Sequence, residues 1–249
     1  MLLQPNRGRA YGSPAVDQNG IAERMIRMGD RRGRANGHKP KTGKAAARPA
    51  SVPLASICVY CGSGPGRNAA YMAAARTLGH AMAEAGIGLV YGGGSLGLMG
   101  EVARSVLGAG GRVTGIIPEF LTGREKMLAE AHELIIVDDM HARKKLMFER
   151  SDAFVALPGG IGTLEELVEQ LTWSQLGRHS KPVILANIER FWEPLLGLLG
   201  HMRSEAFIRA GLEVSFQTVD RADEIVAAVR AAMPAAMTAA ETAAIGRQF

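Results

Sequence analysis

Residues 157–166 combine a glycine-rich turn with two adjacent carboxylates. They read Leu-Pro-Gly-Gly-Ile-Gly-Thr-Leu-Glu-Glu and follow an apolar run. Gly159, Gly160 and Gly162 let backbone N–H groups approach a ligand closely, and the N-terminus of the following helix carries partial positive charge that suits a phosphate. The spacing matches neither a P-loop nor the dinucleotide G-x-G-x-x-G pattern. The stretch therefore predicts a strand, a phosphate-binding turn and a helix that carries Glu165 and Glu166.

Glu166 has a structural alternative to chemistry. Thr163 and Glu166 have the spacing of a capping box, in which the Thr163 hydroxyl accepts from the Glu166 N–H and the Glu166 side chain reaches back to the Thr163 N–H. Glu165 is either a substrate contact or a first-turn acid favoured by the helix dipole. Spacing alone does not separate these roles.

Basic residues stand near the predicted start of another helix, where positive charge opposes the helix dipole. This placement of Arg143 and Lys144 needs a reason, and from the residues alone they belong to a solvated charge run that continues to Lys145. His141 is either an acid or base near neutral pH or a residue that orients its neighbours. Thr172 either reaches a ligand or bonds back to its own helix.

Short apolar runs alternate with longer helical patterns from Ser56 onward. Strands are predicted at Ser56–Tyr60, Gly88–Tyr91, Arg112–Ile117, Glu133–Val137, Ala153–Ala156, Pro182–Ala186 and Glu213–Thr218. Helices are predicted at Asn68–Ala85, Gly97–Ala109, Met140–Ser151, Leu164–Gln175, Trp192–Ser204 and Ala222–Ala232. This alternation predicts a single α/β domain with a doubly wound, Rossmann-like parallel sheet.

Ligands bind outside the carboxyl ends of the strands in such a sheet. The candidates that follow strand ends are Gly62, Ser63, Gly92, Gly93, Gly94, Glu125 and the 159–163 turn.

Four motifs, in this order, resemble the LOG ("Lonely Guy") family of cytokinin riboside 5'-monophosphate phosphoribohydrolases. They are Cys61-Gly62-Ser63, the YGGGSLGLMG stretch at 91–100, Met140-His141-Ala142-Arg143-Lys144 and the 157–166 stretch. The resemblance runs from about Ser56 to about Met233. One departure is Thr122-Gly123-Arg124-Glu125, where many relatives read M-P-R-E, so the proline that would stiffen this loop is absent.

The resemblance implies hydrolysis of the N-glycosidic bond of a nucleoside 5'-monophosphate, in particular an N6-substituted AMP, to free base and ribose 5-phosphate. It implies no metal or organic cofactor, and it implies catalytic roles for Glu166 and Arg143, with Arg143 on the phosphate or on the leaving base. It also implies a set of substrate contacts: Glu125, Lys144, Glu165, Thr172, Thr163, Gly159, Gly160, Gly162, Gly62, Ser63, Gly92, Gly93 and Gly94. The alternatives are a non-catalytic nucleotide or molybdenum-cofactor carrier of the same fold, and a lysine decarboxylase, which would need a pyridoxal-phosphate lysine.

The net charge of +5 on the 249 residues is unevenly placed. Residues 1–50 contain eleven basic and three acidic residues and no apolar periodicity, so they are predicted to be a disordered extension before a domain at 51–233 and an Ala-rich tail at 234–249. The extension is a dispensable segment, a transit peptide, or an arm for nucleic acid or anionic lipid, and the first interpretation is favoured. No run of about 18 apolar residues occurs, so we expect a cytoplasmic protein without a membrane or nucleic-acid partner.

Two further stretches bear on metals and partners. Cys58 and Cys61 form a C-x-x-C within a predicted strand, where residues three apart point to opposite faces, so neither a redox pair nor half of a zinc site is predicted. The Trp173-Ser174-Gln175-Leu176 stretch predicts an exposed apolar patch. With the resemblance, this patch predicts a homodimer or a higher homo-oligomer.

Overall fold

Strands and helices alternate along the part of the chain that the computed structural model describes, residues 53–123, 126–209 and 211–234. Within these residues the seven strands are β1 (Ser56–Tyr60), β2 (Gly88–Tyr91), β3 (Val113–Pro118), β4 (Glu133–Val137), β5 (Ala153–Ala156), β6 (Val183–Ala186) and β7 (Gln217–Val219). Their order across the sheet is β4-β3-β2-β1-β5-β6-β7, and the neighbouring strands run parallel. This confirms the predicted doubly wound, Rossmann-like α/β fold.

Helices join successive strands and cover both faces of the sheet. The helices of the described residues are α1 (Ala69–Glu84), α2 (Gly97–Gly108), α3 (Glu119–Thr122), α4 (Met140–Glu149), α5 (Ile161–Gln175), α6 (Glu193–Ser204) and α7 (Ile225–Ala232). Side chains cap two of them, since Asn68 accepts from the Ala70 N–H at 2.9 Å and Asp139 accepts from the Ala142 N–H at 2.8 Å. The single turn α3 was not predicted, because four residues show no periodicity.

Each face of the sheet has its own apolar cluster. Leu78, Val102 and Val229 belong to the cluster on one face, whereas Met147 and Leu167 belong to the cluster on the other. The two cysteines divide between these clusters, Cys61 in the first and Cys58 in the second, as the strand geometry predicted. Burial raises the pKa of both thiols. Within the described ranges, no group of three or more His, Cys, Asp and Glu side chains is placed to hold a metal ion.

The chain lays down β1 to β4 in one direction and then returns to place β5 on the free side of β1. Ile57 of β1 therefore pairs with Leu89 on one side and with Ala153 on the other. The crevice between β1 and β5 at their carboxyl ends is the topological switch point, where ligands bind in open α/β sheets.

Several boundaries differ from those predicted, most of them by one or two residues, and the starts of β7, α5 and α7 differ by more. Strand β7 spans only Gln217–Val219, because its neighbour β6 is short and pairs with it only from Ile184 to Ala186. Helix α5 begins at Ile161 instead of Leu164, with Gly160 as the N-cap residue. The poor helix propensity of glycine had placed this start too late.

Several sequence predictions lie outside the described residues. These are the basic extension at 1–50, which is predicted to be disordered, the loop residue Glu125, and all but the first residue of the tail at 234–249. No helix in the described ranges is long and apolar enough to cross a membrane.

Candidate active site

The turns that follow β1, β2 and β5 are bonded to one another at the switch point. The Gly62 N–H donates to the Pro158 carbonyl at 3.1 Å, and the Gly62 carbonyl accepts from the Leu98 N–H at 3.0 Å. Gly97 has a φ of +57°, and a Cβ there would overlap the backbone of Ser63. Only glycine fits at this close approach, so the β1 and β2 turns hold each other in place.

The N-terminus of α5 lies beside these turns. No side chain caps the helix at Gly160, and its first turn contains no acidic residue. The turn before it is tightly packed, because a Cβ on Gly159 would overlap the Thr163 side chain. The first-turn N–H groups of a helix have no intrahelical acceptor, so together with the helix dipole they suit an anion such as a phosphate.

A cavity of about 290 Å³ opens over this helix start. It is lined by Cys61, Gly62, Ser63, Met99, Arg143, Gly160, Ile161, Gly162, Thr163 and Glu166. The cavity thus brings together the turn after β1, the first turns of α2 and α5, and one charged residue of each sign.

Arg143 of α4 and Glu166 of α5 form an ion pair at the wall of this cavity. Nη2 of Arg143 lies 3.2 Å from Oε1 of Glu166, and each side chain is only 9% exposed. Nε of Arg143 donates to the Ile116 carbonyl at 3.2 Å, which fixes the plane of the guanidinium. Gly92 leaves room for this group, because a Cβ there would overlap Nη2. A shielded cation and carboxylate therefore meet next to an anion-binding helix end.

The titratable side chains of β1 and of the residue that follows it are held in their uncharged forms. Burial raises the pKa of Cys61, which lines the cavity, and the negative charge of Glu166 raises it further. Burial likewise raises the pKa of Cys58 and Tyr60, again with a contribution from Glu166. Since a thiolate is the nucleophilic form of cysteine, Cys61 is not a nucleophile near neutral pH. The chemistry of the cavity falls to its ionised side chains.

The capping-box alternative for Glu166 is wrong. Gly160 is the N-cap of α5, so Thr163 is the third residue of the helix and Glu166 the sixth. A capping box requires Thr163 at the N-cap itself. Glu166 is instead buried in the helix face that carries Thr163 and Leu167.

Lys144 and Glu165 meet each other beside the cavity and do not line it. Nζ of Lys144 lies 2.6 Å from Oε1 of Glu165 and 2.9 Å from Oε1 of Glu169. Burial opposes the charge on Lys144, but hydrogen bonds to the two glutamates outweigh it and raise the pKa of the lysine. Lys145, in contrast, is exposed, and its Nζ lies 3.9 Å from Oε1 of Glu149. Only Lys145 fits the solvated charge run considered from sequence.

The remaining predicted residues are scattered. The Gly93 carbonyl accepts from the Leu128 N–H at 3.1 Å, and Gly94 forms an isolated bridge with Met127, so this turn is tied to the segment after the undescribed Glu125. The Thr172 hydroxyl donates to the Val168 carbonyl at 2.8 Å, which is the local bond that its position on a helix allowed. His141 is exposed at the start of α4.

Two groups of cavity residues were missed from sequence. Met99 lines the main cavity and lies inside the YGGGSLGLMG motif, so a signal for it was present. Tyr71 and Phe191 line a neighbouring cavity of about 310 Å³ that shares Gly62 and Gly160 with the first. Both aromatic residues come from segments without a motif, and only the fold brings them to the switch point.

The fold and the site define a Rossmann-like α/β protein with a cavity suited to a phosphorylated ligand and a buried Arg–Glu pair at its edge. Residues 99–229 match the family model described as "Possible lysine decarboxylase". Three curated relatives carry a more specific name, cytokinin riboside 5'-monophosphate phosphoribohydrolase, qualified as probable for the first of them. The chain belongs to this LOG family of phosphoribohydrolases.

The matches to these relatives cover between 61% and 76% of this chain. The rice (Oryza sativa subsp. japonica) protein LOGL1 is 46% identical, over 73% of this chain and 83% of its own length. The rice protein LOG is 52% identical, over 61% of this chain and 63% of its own length. The relative from Rhodococcoides fascians is 43% identical, over 76% of this chain and 95% of its own length.

A solved structure supports the fold alone. The molybdenum cofactor binding protein from the phototrophic bacterium Rippkaea orientalis matches with a TM-score of 0.55 and 21% identity. The match covers 73% of this chain and 98% of the other. At this identity the likeness does not extend to the ligand.

Proposed function

We propose that the protein hydrolyses the N-glycosidic bond of nucleoside 5'-monophosphates, in particular N6-substituted AMP, and releases the free base and ribose 5-phosphate. The observation that carries this proposal is the buried Arg143–Glu166 pair beside the uncapped start of α5. The names of relatives at 43% to 52% identity support the same activity. An anion site and a carboxylate at one cavity are the two parts that such a reaction needs.

The 5'-phosphate binds at the first turn of α5. The backbone N–H groups there are unprotected by a side-chain cap, and Ser63 adds a hydroxyl on the opposite wall. This contact is remote from the bond that breaks, so its binding energy positions the sugar for reaction. Gly160 and Gly162 allow the phosphate to approach the backbone closely.

The carboxylate of Glu166 acts at the anomeric carbon. As the bond between C1' and the base breaks, its electron pair leaves with the base and positive charge develops on the sugar, which a nearby carboxylate stabilises. Glu166 then accepts a proton from a water molecule whose oxygen bonds to C1', and it later releases this proton to solvent. The departing base takes up one proton from solvent, so no net proton is gained or lost. The products are ribose 5-phosphate and the neutral base.

Arg143 orients this carboxylate. Its Nη2 contacts Oε1 of Glu166, and its Nε is anchored on the Ile116 carbonyl. The contact with Glu166 favours a role near the reacting carbon and the leaving base over a role at the phosphate. Burial raises the pKa of Cys61 and Tyr60 next to the pair, so both stay uncharged near neutral pH.

Two other functions receive less support. A nucleotide or molybdenum-cofactor carrier would explain the glycine turns, but it gives no role to a shielded Arg–Glu pair in the cavity. Lysine decarboxylation, which the description of the family model suggests, needs a lysine free to form a Schiff base with pyridoxal phosphate. Lys144, next to the catalytic arginine, is held between Glu165 and Glu169.

We expect the purified protein to release base from N6-isopentenyl-AMP, and more slowly from AMP, without added metal or pyridoxal phosphate. The released base and ribose 5-phosphate are measured by chromatography. The matched control is N6-isopentenyladenosine, which lacks the phosphate for α5 and should react far more slowly. Tight binding of AMP without release of base from any nucleoside monophosphate, even at high enzyme concentration, would replace this proposal with the carrier.

The patch predicted at residues 173–176 is only partly exposed. Trp173 is half-buried, with its ring edge-to-face with Phe148 at 5.2 Å and the Arg178 guanidinium 4.0 Å from its centroid. Leu176 remains 73% exposed. The sequence prediction of an exposed tryptophan is therefore wrong, because it took no account of the α4 aromatic ring.

We nevertheless propose a homodimer through the outer face of α5. Ile161, Val168 and Leu176 recur along this face with exposures of 82%, 43% and 73%, and exposed apolar side chains that share a face favour an interface. Light scattering at micromolar concentration should give a dimer mass for the wild type and a monomer mass for Val168→Lys. A wild-type monomer would exclude the interface.

The cytoplasmic location stays a prediction.

A further inference from the structure

Consecutive basic residues of α4 each contact an acidic residue of α5. Arg143 contacts Glu166, while Lys144 lies between Glu165 and Glu169, which are one helical turn apart. The second set of contacts connects the same two helices immediately next to the catalytic pair. Two neighbouring sets of ion pairs therefore hold α4 against α5.

The contact between Lys144 and Glu169 is shielded from solvent. Their side chains are 15% and 18% exposed, whereas the Lys145–Glu149 pair on the outer side of α4 is 60% and 53% exposed. Shielded pairs are screened less by salt and water than surface pairs. The link between Lys144 and Glu169 is therefore the stronger constraint, and Glu165, which is half exposed, adds to it.

Glu169 contributes less to stability than an apolar residue would at the same position. Its Oε2 is buried and has no hydrogen-bond partner among the residues that the structure describes, and an unsatisfied buried oxygen destabilises the folded state. An apolar side chain of similar size would pack α5 against its surroundings without this cost. A carboxylate at this position is useful mainly through the contact of its other oxygen with Lys144.

We propose that Lys144 and Glu169 are positioning residues, which hold α4 on α5 in the one register where Arg143 meets Glu166. The inference rests on the proposed hydrolysis. Residues 143 and 144 share one helix, and residues 166 and 169 share the other, so a shift that separates Lys144 from Glu169 also moves Arg143 relative to Glu166. A misplacement of about 1 Å is enough to slow a reaction by an order of magnitude or more.

This role differs from a substrate contact for Lys144. If Lys144 binds substrate, its removal lowers the affinity for substrate. Removal of Glu169 should then not change the affinity in the same way. A lysine that positions Arg143 through the helix instead alters turnover, and its removal has the same effect as removal of Glu169. The two roles are separated by comparing kcat with KM in both variants.

The kinetic test uses Lys144→Met, Glu169→Gln and the double variant. Each single change should lower kcat by about fivefold with KM within about twofold of the wild type, and the double variant should be no slower than the worse single variant. Lys144→Arg, which keeps the charge, should recover most of the turnover, and Lys145→Met is the matched control that should resemble the wild type. A raised KM in Lys144→Met with a silent Glu169→Gln would overturn the proposal, as would fully additive losses.

A second readout does not depend on turnover. The Arg143 Nε–H signal in an NMR spectrum, assigned by its disappearance in Arg143→Lys, should shift in Lys144→Met and in Glu169→Gln but stay in place in Lys145→Met. An unmoved signal in the first two variants, with the fold intact, would overturn the positioning role. Absence of base release by the wild type would refute the proposed hydrolysis instead, so the two failures are distinguishable.

Discussion

Glu166→Gln should lower kcat for base release by roughly two orders of magnitude while the protein stays folded and binds AMP. The substitution keeps the shape of the side chain, and its amide oxygen can still accept from Nη2 of Arg143. It removes the negative charge that, in the proposed mechanism, stabilises C1' and takes the proton from water. Affinity should hold because the proposed phosphate site is the start of α5. Steady-state kinetics, calorimetric binding of AMP and thermal unfolding measure the three quantities.

Glu149→Gln provides the matched control, since Glu149 is an exposed helical glutamate on α4 and lies outside the cavity. Its turnover should equal that of the wild type. Near-normal turnover in Glu166→Gln would contradict the mechanism and transfer the catalytic role to Glu165 or Glu125.

Gly92→Ala should lower kcat/KM by about tenfold or more although the new side chain is a single methyl group. Gly92 does not have a positive φ, so alanine is compatible with its backbone. The Cβ would overlap Nη2 of Arg143 and lie 3.2 Å from Sδ of Met99. The guanidinium must move away from Glu166, so its alignment is lost without removal of any functional group. The measurement is the rate of base release at subsaturating substrate.

Two further variants isolate the cause. Gly197→Ala, on the exposed side of α6, places its Cβ where no other described residue beyond the adjoining helix backbone lies within 4 Å, and it should leave the rate unchanged. In a background that already carries Arg143→Ala, Gly92→Ala should cost little more, because the group that it displaces is absent. An undiminished additional loss would assign the effect to Met99 or to the backbone.

The sequence was sufficient for the order of the elements and for the glycine turns. Near-continuous apolar strands such as Ala153–Ala156 have a strong local signal, and the glycine turns follow directly at their carboxyl ends. The pairing of Arg143 with Glu166 has no such signal. It depends on the distance between α4 and α5, which the packing of both helices on the sheet determines.

Local rules failed where tertiary structure supplied a competing partner. Thr163 and Glu166 have the spacing of a capping box, but the close packing of Gly159 on Thr163 accompanies a helix start two residues before Thr163. Lys144 fits a solvated charge run by composition, yet two glutamates of another helix enclose it. These outcomes follow from contacts between segments that no local pattern encodes.

The return of the chain to β1 also decides when the site can exist during folding. The turn after β1 and the first turn of α5 become neighbours only when β5 pairs with β1, as in Ile57 with Ala153, and this contact joins segments far apart in the chain. Loop-closure entropy makes such pairing slow compared with the formation of helices. A nascent chain that ends at β4 lacks Glu166 and the glycine-rich turn before α5 altogether. Recovery of hydrolysis on refolding therefore reports the pairing of β5 with β1, which formation of the first four strands does not supply.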